Sequence, residues 1–173
     1  AKMIMDLSPS DCSKYASALR ASKLVENGMK VGLGTGSTAF WLVRHLADRI
    51  RNESLNFVGV PTSIRTREQA HGEGIRLISM DDAGRLDITI DGADEFDQSM
   101  NLIKGGGGAH LQEKIVAFGS DIMVVIADES KKVNKLGRFP LPVEVVQFGS
   151  TSSQKKIEEM LISQKYKDFN IKM

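Results

Sequence analysis

Met29-Lys30-Val31-Gly32-Leu33-Gly34-Thr35-Gly36-Ser37-Thr38-Ala39 is the stretch that decides the fold. A short apolar run ends in alternating glycines, and hydroxyl residues follow. The run reads as a buried strand, Met29 to Leu33, entering a tight turn. A helix is expected from about Thr38, because Leu42, Val43, Leu46 and Ile50 recur at roughly helical spacing. Strand, glycine turn and helix in that order open an α/β unit. The N–H groups of such a loop, with the positive end of the helix dipole behind them, suit an anion. Thr35, Ser37 and Thr38 add hydroxyl donors. No Gly-Lys-Ser/Thr ending follows, so this is not a nucleotide loop of the Walker type. Ala39 stands where a dinucleotide fingerprint has its third glycine, a place that tolerates alanine, so a dinucleotide reading stays open on this segment alone.

The same alternation extends in both directions. Upstream, Ser8-Pro9 reads as a helix cap and first helical residue, with Gly28 as a stop. Downstream, strands are expected at Leu55 to Val60, around Ile75 to Ile78, at Leu86 to Ile90 and at Ile122 to Ala127. Pro61-Thr62-Ser63 reads as a turn and cap before a polar helix to about His71. A helix is expected over Leu111 to Phe118. After the break at Pro140-Leu141-Pro142 come a strand at Val143 to Val146 and a helix at Ser152 to Ser163. Strands alternating with helices predict an α/β fold, an open and mainly parallel sheet flanked by helices in the Rossmann-like manner. Ligands in such folds bind beyond the carboxyl ends of the strands. The Gly34–Thr38 loop, the Thr62/Ser63 turn, the run from Asp91 and the Asp128–Lys131 turn all follow apolar strands, so they are expected on one edge.

The chemistry concentrates in Asp91-Gly92-Ala93-Asp94-Glu95, then Lys104, four glycines (Gly105 to Gly108) and Glu113. Asp91 ends a strand that also carries Asp87, four residues earlier and so on the same side. Close carboxylates raise one another's pKa, which suits an acid and base pair. A lysine can hold a developing oxyanion, and bare glycine backbone can approach a polar ligand. Glu113 opens a helix, where the dipole is expected to keep it ionised, as a base requires. His110 is the only histidine nearby, which weakens a metal site, although oxygen-only magnesium sites need none. Lys131 and Lys132 sit in a turn after a buried strand. Lys131 is a phosphate candidate, while Lys132, His45 and His71 read as ordinary surface or helix residues.

Bulk properties narrow the class. A length of 173 residues buries a proper core without metals or disulfides, and Cys12 as the sole cysteine excludes an intrachain disulfide. A net charge of +1 with acids and bases intermixed argues against nucleic acid or an anionic membrane as the main partner. The longest apolar runs are too short to span a bilayer and no signal peptide is visible, so a cytoplasmic location is expected.

At these residues the chain resembles ribose-5-phosphate isomerase of the A type. The matching segments are Gly32 to Ala39, Pro61-Thr62-Ser63, Asp91 to Glu95, Lys104 to Ala109, Glu113-Lys114-Ile115, Ala127 to Lys131 and Phe139 to Val145. Their order and spacing carry the resemblance from about Lys14 to Val146. It implies interconversion of D-ribose 5-phosphate and D-ribulose 5-phosphate through a cis-enediolate, in the non-oxidative branch of the pentose phosphate pathway, with no metal and no organic cofactor. By resemblance, Glu113 is the base that carries a proton between C2 and C1, and Asp91 an acid for ring opening and oxygen protonation. Asp94 and Lys104 hold sugar oxygens and offset enediolate charge. Lys14, Thr35, Gly36, Ser37, Thr38, Gly105, Gly106, Gly107 and Lys131 form the substrate-binding set. Two departures stand out: relatives usually have arginine where this chain has Gln112, and an apolar residue where it has His110. The resemblance also implies a homodimer or homotetramer. It sets residues 1–146 as the catalytic domain and 147–173 as the beginning of a small α+β lobe that the sequence leaves truncated.

Two other readings compete. A sugar-phosphate sensor domain shares the architecture, but it has no need of a base such as Glu113. A dinucleotide-dependent oxidoreductase predicts an acid ending the second strand, where Val60-Pro61-Thr62 stands instead.

Overall fold

The structure is a computed structural model that describes residues 7–173. The chain divides into a first compact unit ending at Pro142 and a second, Val143–Met173. The first unit is built on a four-stranded parallel sheet: β1 (Lys30–Leu33), β2 (Val58–Pro61), β3 (Leu86–Asp91) and β6 (Ser120–Val125), in the order β2-β1-β3-β6. Register is direct, with Leu33 opposite Pro61 on one side and Ile90 on the other, and Asp91 opposite Val125. The chain first steps from β1 to β2, then crosses back to lay β3 on the other flank of β1. That reversal is the switch point where open α/β sheets bind ligands, here between the ends of β1 and β3.

Strand alternation assigns the two faces. Val31, Leu33, Ile88 and Ile90 point to one side, into a core with Ala18 and Ala21 of α1 (Pro9–Ser22) and Leu42, Val43 and Leu46 of α2 (Ser37–Glu53). The other side meets α5 (His110–Phe118), where Val116 joins Val60 and Ala83. Gly32 lies beneath α5: a Cβ there would run into Thr89 Oγ1 and Val116 Cγ1. Thr89 and Asp91 share that parity, so the acid at the end of β3 emerges on the α5 side.

Two short elements follow β2: α3 (Ile64–Gly72), capped by Ser63 Oγ on the Thr66 N–H, and α4 (Met80–Ala83), capped by Ser79. The strand expected around Ile75 to Ile78 is reduced to a single parallel bridge, Gly59 with Leu77, because the Ser79 cap turns the chain into α4 at once. Between β3 and α5 lies a hairpin absent from the sequence expectations, β4 (Glu95–Phe96) against β5 (Leu102–Ile103). Asp97 closes its turn by accepting the N–H groups of Ser99 and Asn101. The Asn101 side-chain amide first, and then those backbone bonds, hold the Asp97 carboxyl below its ordinary range. β6 begins two residues earlier than expected and ends at Val125.

The second unit carries one helix, α6 (Ser150–Ser163). The strand expected at Val143 to Val146 does not form. Pro140 and Pro142 remove two ladder donors just before it, and Val143 and Val146 lie exposed with no partner strand among the described residues.

Candidate active site

Three of the four expected post-strand segments converge on one cleft, joined by the stretch after β5, while the Thr62/Ser63 turn does not line it and lies behind Thr35. Thr35 to Thr38 after β1, Gly92 to Asp94 after β3, Lys104, Gly105 and Gly107 after β5 and Lys131 after β6 line a cleft of about 140 Å³, with Glu113 on its wall. Its anion end is the start of α2. No side chain caps that helix, whose N-cap is Gly36 at φ +115°, so its first N–H groups face the cleft. Lys131 comes from a single 3-10 turn, Glu129–Lys131, capped by Asp128 accepting the N–H and hydroxyl of Ser130. Burial works against the Asp128 charge. The Ser130 bonds, with Lys14 and Lys131 nearby, outweigh it and hold that carboxyl below its ordinary range.

Asp91 lies under the cleft rather than on its wall. Its side chain is 1% exposed, Oδ1 accepts the N–H groups of Thr35 (2.9 Å) and Gly92 (2.7 Å), and Oδ2 accepts Lys104 Nζ (2.9 Å). This approach depends on Gly34, since any Cβ there would collide with the Asp91 carboxylate. Lys104 reaches Asp91 because the β4–β5 hairpin returns the chain, and Nζ also donates to Gly92 O (2.5 Å). Asp94 Oδ2 accepts the Gly106 N–H (2.8 Å), which explains why Gly106 supports the cleft without lining it.

Glu113 differs from the other acids. It is 6% exposed, and Oε2 is a buried oxygen with no hydrogen-bond partner among the described residues. Lys104 Nζ stands 3.5 Å from it, an ion-pair distance. Burial first, then the Asp91 charge, pushes the carboxyl up to about 7, against the opposing pull of Lys104. The expectation that the helix dipole keeps Glu113 ionised is therefore corrected. Burial and the Asp91 charge, not the position at the helix start, set its proton affinity.

The expected acid cluster is likewise redistributed. Asp87 receives the Lys30 N–H at the far end of β3 and plays no part in the cleft. Glu95, fully buried, turns away and accepts the N–H groups of Gly137 (2.8 Å) and Phe139 (2.5 Å). The carboxylate that couples to Asp91 is Glu113, twenty-two residues on. Among the described residues no three His, Cys, Asp or Glu side chains gather as a metal requires.

Residues 58–168 match the family model of ribose 5-phosphate isomerase A (phosphoriboisomerase A). The chain belongs to the ribose 5-phosphate isomerase A family. It is 63% identical over 158 residues to a ribose-5-phosphate isomerase A of Ruegeria sp., covering 91% of this chain and 60% of that protein. The chain thus spans about three fifths of the length of that curated relative. Its fold matches a ribose 5 phosphate isomerase A from Neisseria gonorrhoeae at TM-score 0.82 and 38% identity, over 89% of this chain and 68% of that one. It also matches a D-ribose-5-phosphate isomerase in complex with phospho-erythronic acid at TM-score 0.84 and 33% identity, over 88% and 67%.

Within this isomerase-family cleft, most residues singled out from sequence come together. Lys14 does not line it: its ammonium pairs with Asp11 at 3.5 Å, and it contributes through the field on Asp128. Of the two departures, Gln112 is exposed on α5, while the His110 ring packs against Gly105, leaving no room there for a Cβ. Sequence reasoning passed over Gly92 and Ala93, which line the cleft, and Phe139, whose ring lies against Gly106. The acid run itself was the available signal for Gly92 and Ala93; nothing local marks Phe139. It also missed Thr66, whose hydroxyl bonds Gly34 O (2.9 Å) beneath the glycine loop.

Proposed function

We propose that the chain is an aldose–ketose isomerase interconverting D-ribose 5-phosphate and D-ribulose 5-phosphate. The observation that carries this reading is the buried Oε2 of Glu113, without a hydrogen bond and at ion-pair distance from Lys104. A carboxylate poised near pH 7 with a free lone pair in a cleft suits removal of a carbon-bound proton next to a carbonyl. In this reading the phosphate sits at the Thr35–Thr38 loop with Lys131 near it. Glu113 takes the C2 proton of the open-chain aldose, and the C–H electrons form the C1–C2 double bond. The carbonyl electrons move to O1, which gains a proton. Return of the Glu113 proton to C1 and loss of the O2 proton give the ketose. Lys104 offsets the enediolate charge, with Asp94 facing the sugar oxygens. Asp91 does not line the cleft and acts in this reading through Lys104, which it anchors together with both loops. A related enzyme binds phospho-erythronic acid, and a phosphorylated sugar acid of that class is expected to compete with substrate here.

We take residues 1–146 as the catalytic part and 147–173 as the start of a small α+β lobe, and expect a cytoplasmic homodimer or homotetramer. The deciding experiment is ribulose 5-phosphate formation from ribose 5-phosphate in EDTA, run beside Glu113→Gln. EDTA-resistant turnover that the variant loses supports the isomerase and its base. Tight ribose 5-phosphate binding with no turnover would replace it with a sugar-phosphate sensor.

A further inference from the structure

Thr35 carries an unusual load of hydroxyl contacts. Its Oγ1 lies 2.8 Å from Thr62 Oγ1, 2.8 Å from Ser63 Oγ and 3.2 Å from Thr66 Oγ1. All three partners come from the end of β2 and the first turn of α3, and Thr62 and Thr66 are 0% and 5% exposed. A hydroxyl has one hydrogen to give and two lone pairs to receive with. Thr66 Oγ1 gives its hydrogen to Gly34 O (2.9 Å) and Thr62 Oγ1 gives its own to Leu33 O (3.1 Å). Ser63 Oγ receives the Thr66 N–H and donates to Thr66 Oγ1 (3.0 Å). Two of the four hydrogens are therefore committed to main-chain carbonyls, one at the end of β1 and one in the glycine loop. The Thr35 hydrogen is not: it goes to Ser63 Oγ, and Thr35 itself lines the cleft. Given instead to a ligand, it leaves Ser63 Oγ, whose own hydrogen is not held by a carbonyl and can turn from Thr66 Oγ1 to Thr35 Oγ1.

We infer that Thr62, Ser63 and Thr66 are positioning residues that hold the end of β1 and the glycine loop by their carbonyls and aim the Thr35 hydroxyl as a donor to the phosphate of the bound sugar phosphate. This inference rests on the anion-binding reading of the Thr35–Thr38 loop. It gives the Thr62-Ser63 turn, which a capping role explains only at Ser63, a part in ligand binding. It also accounts for a threonine at position 66, buried inside an otherwise polar helix.

The test is a double-mutant cycle between Thr66→Val and Thr35→Val, read as Kd for ribose 5-phosphate and for inorganic phosphate, with kcat and KM alongside. Thr66→Val keeps shape and loses the hydroxyl; Thr66→Ser keeps the hydroxyl. The expected result is roughly tenfold weaker binding of both ligands in Thr66→Val, kcat within about twofold, and recovery in Thr66→Ser. In the Thr35→Val background the Thr66→Val effect should shrink to under about twofold, because its route to the ligand is gone. An undiminished effect in that background, or unchanged Kd in the single variant, overturns the inference. Should Thr66→Val fail to fold, Ser63→Ala, which leaves both carbonyl-bound hydroxyls in place, goes through the same cycle. If the wild-type chain binds inorganic phosphate but not ribose 5-phosphate, the isomerase reading fails, while the cycle run with inorganic phosphate still decides the role of Thr66. Binding of neither ligand overturns both.

Discussion

A surface glutamate sheds its proton near 4.5; Glu113 holds its own up to about 7, with burial the largest cause. As a base it must be ionised, so log kcat/KM should rise with unit slope below pH 7 and level off above it, a profile measurable in EDTA. Glu113→Gln should cost about 10³-fold in kcat with KM little changed. The same shift has a stability consequence of definite sign. Between about 4.5 and about 7 the folded chain binds a proton that the unfolded chain has released, so this group's contribution to stability falls as pH rises through that window. Glu113→Gln, freed of the buried charge, should therefore gain Tm over wild type at pH 8 and match it near pH 4. A constant difference across that range would refute the assigned cause. Asp91 is the second contributor to the shift, so Asp91→Asn should move the rising limb of the rate profile to lower pH. It should also lose roughly 10²-fold in kcat as Lys104 loses its anchor.

At the scale of elements, what brings these residues together is the β4–β5 hairpin and the close passage of β1 and β3. The glycine-to-acid packing is directly testable. Gly34→Ala drives a methyl into the Asp91 carboxylate, and overpacking of this kind costs about 1–3 kcal/mol. Denaturant unfolding should show that loss, and turnover should fall further than stability alone explains, because Asp91 also sets Lys104. Glu95 is the counterpart on the far side of the hairpin. Burial opposes its charge, but the N–H groups of Gly137 and Phe139 and the Arg138 guanidinium hold its carboxyl below the ordinary range. That contribution is present above about pH 4.5 and is lost as pH falls through the folded value. Glu95→Gln offers one acceptor where two N–H groups need two, so the 137–139 loop should become the first site of limited proteolysis at neutral pH. The gap in Tm to wild type should close in acid. The hairpin itself was not legible in the sequence: two-residue strands leave no alternation to detect, and Asp97 to Asn101 reads only as polar loop. Val143 to Val146 shows the reverse error, an apolar β-branched run without a partner strand, which propensity cannot reveal.

Over the whole molecule, the legible features were those set by local periodicity plus one topological rule. The glycine turn after β1, the helical spacing of Leu42, Val43 and Leu46, and the apolar strand ending at Asp91 are all local signals, and the edge rule for parallel sheets then gathers their loops. What sequence left open is the field inside the cleft. The Glu113 shift arises from burial and from Asp91, and neither is visible from their spacing of twenty-two residues. Sequence was equally silent on the outer face of α5. Val116 faces the sheet, yet Leu111, Ile115 and Phe118, one stripe at i, i+4 and i+7, are 53%, 49% and 85% exposed. Ile122 on β6 adds 57%. A helix apolar on its outer face as well suits an interface, in keeping with the proposed homo-oligomer. The wild-type chain should therefore run at twice its mass or more in light scattering after size exclusion. Ile115→Lys combined with Phe118→Glu should bring it toward the single-chain mass with its circular dichroism unchanged. A wild-type monomer, or an assembly indifferent to both substitutions, would remove α5 from the interface. Because Glu113 projects from the opposite side of the same helix, loss of the assembly should also lower kcat, through the rigidity of α5 rather than through any contact with substrate.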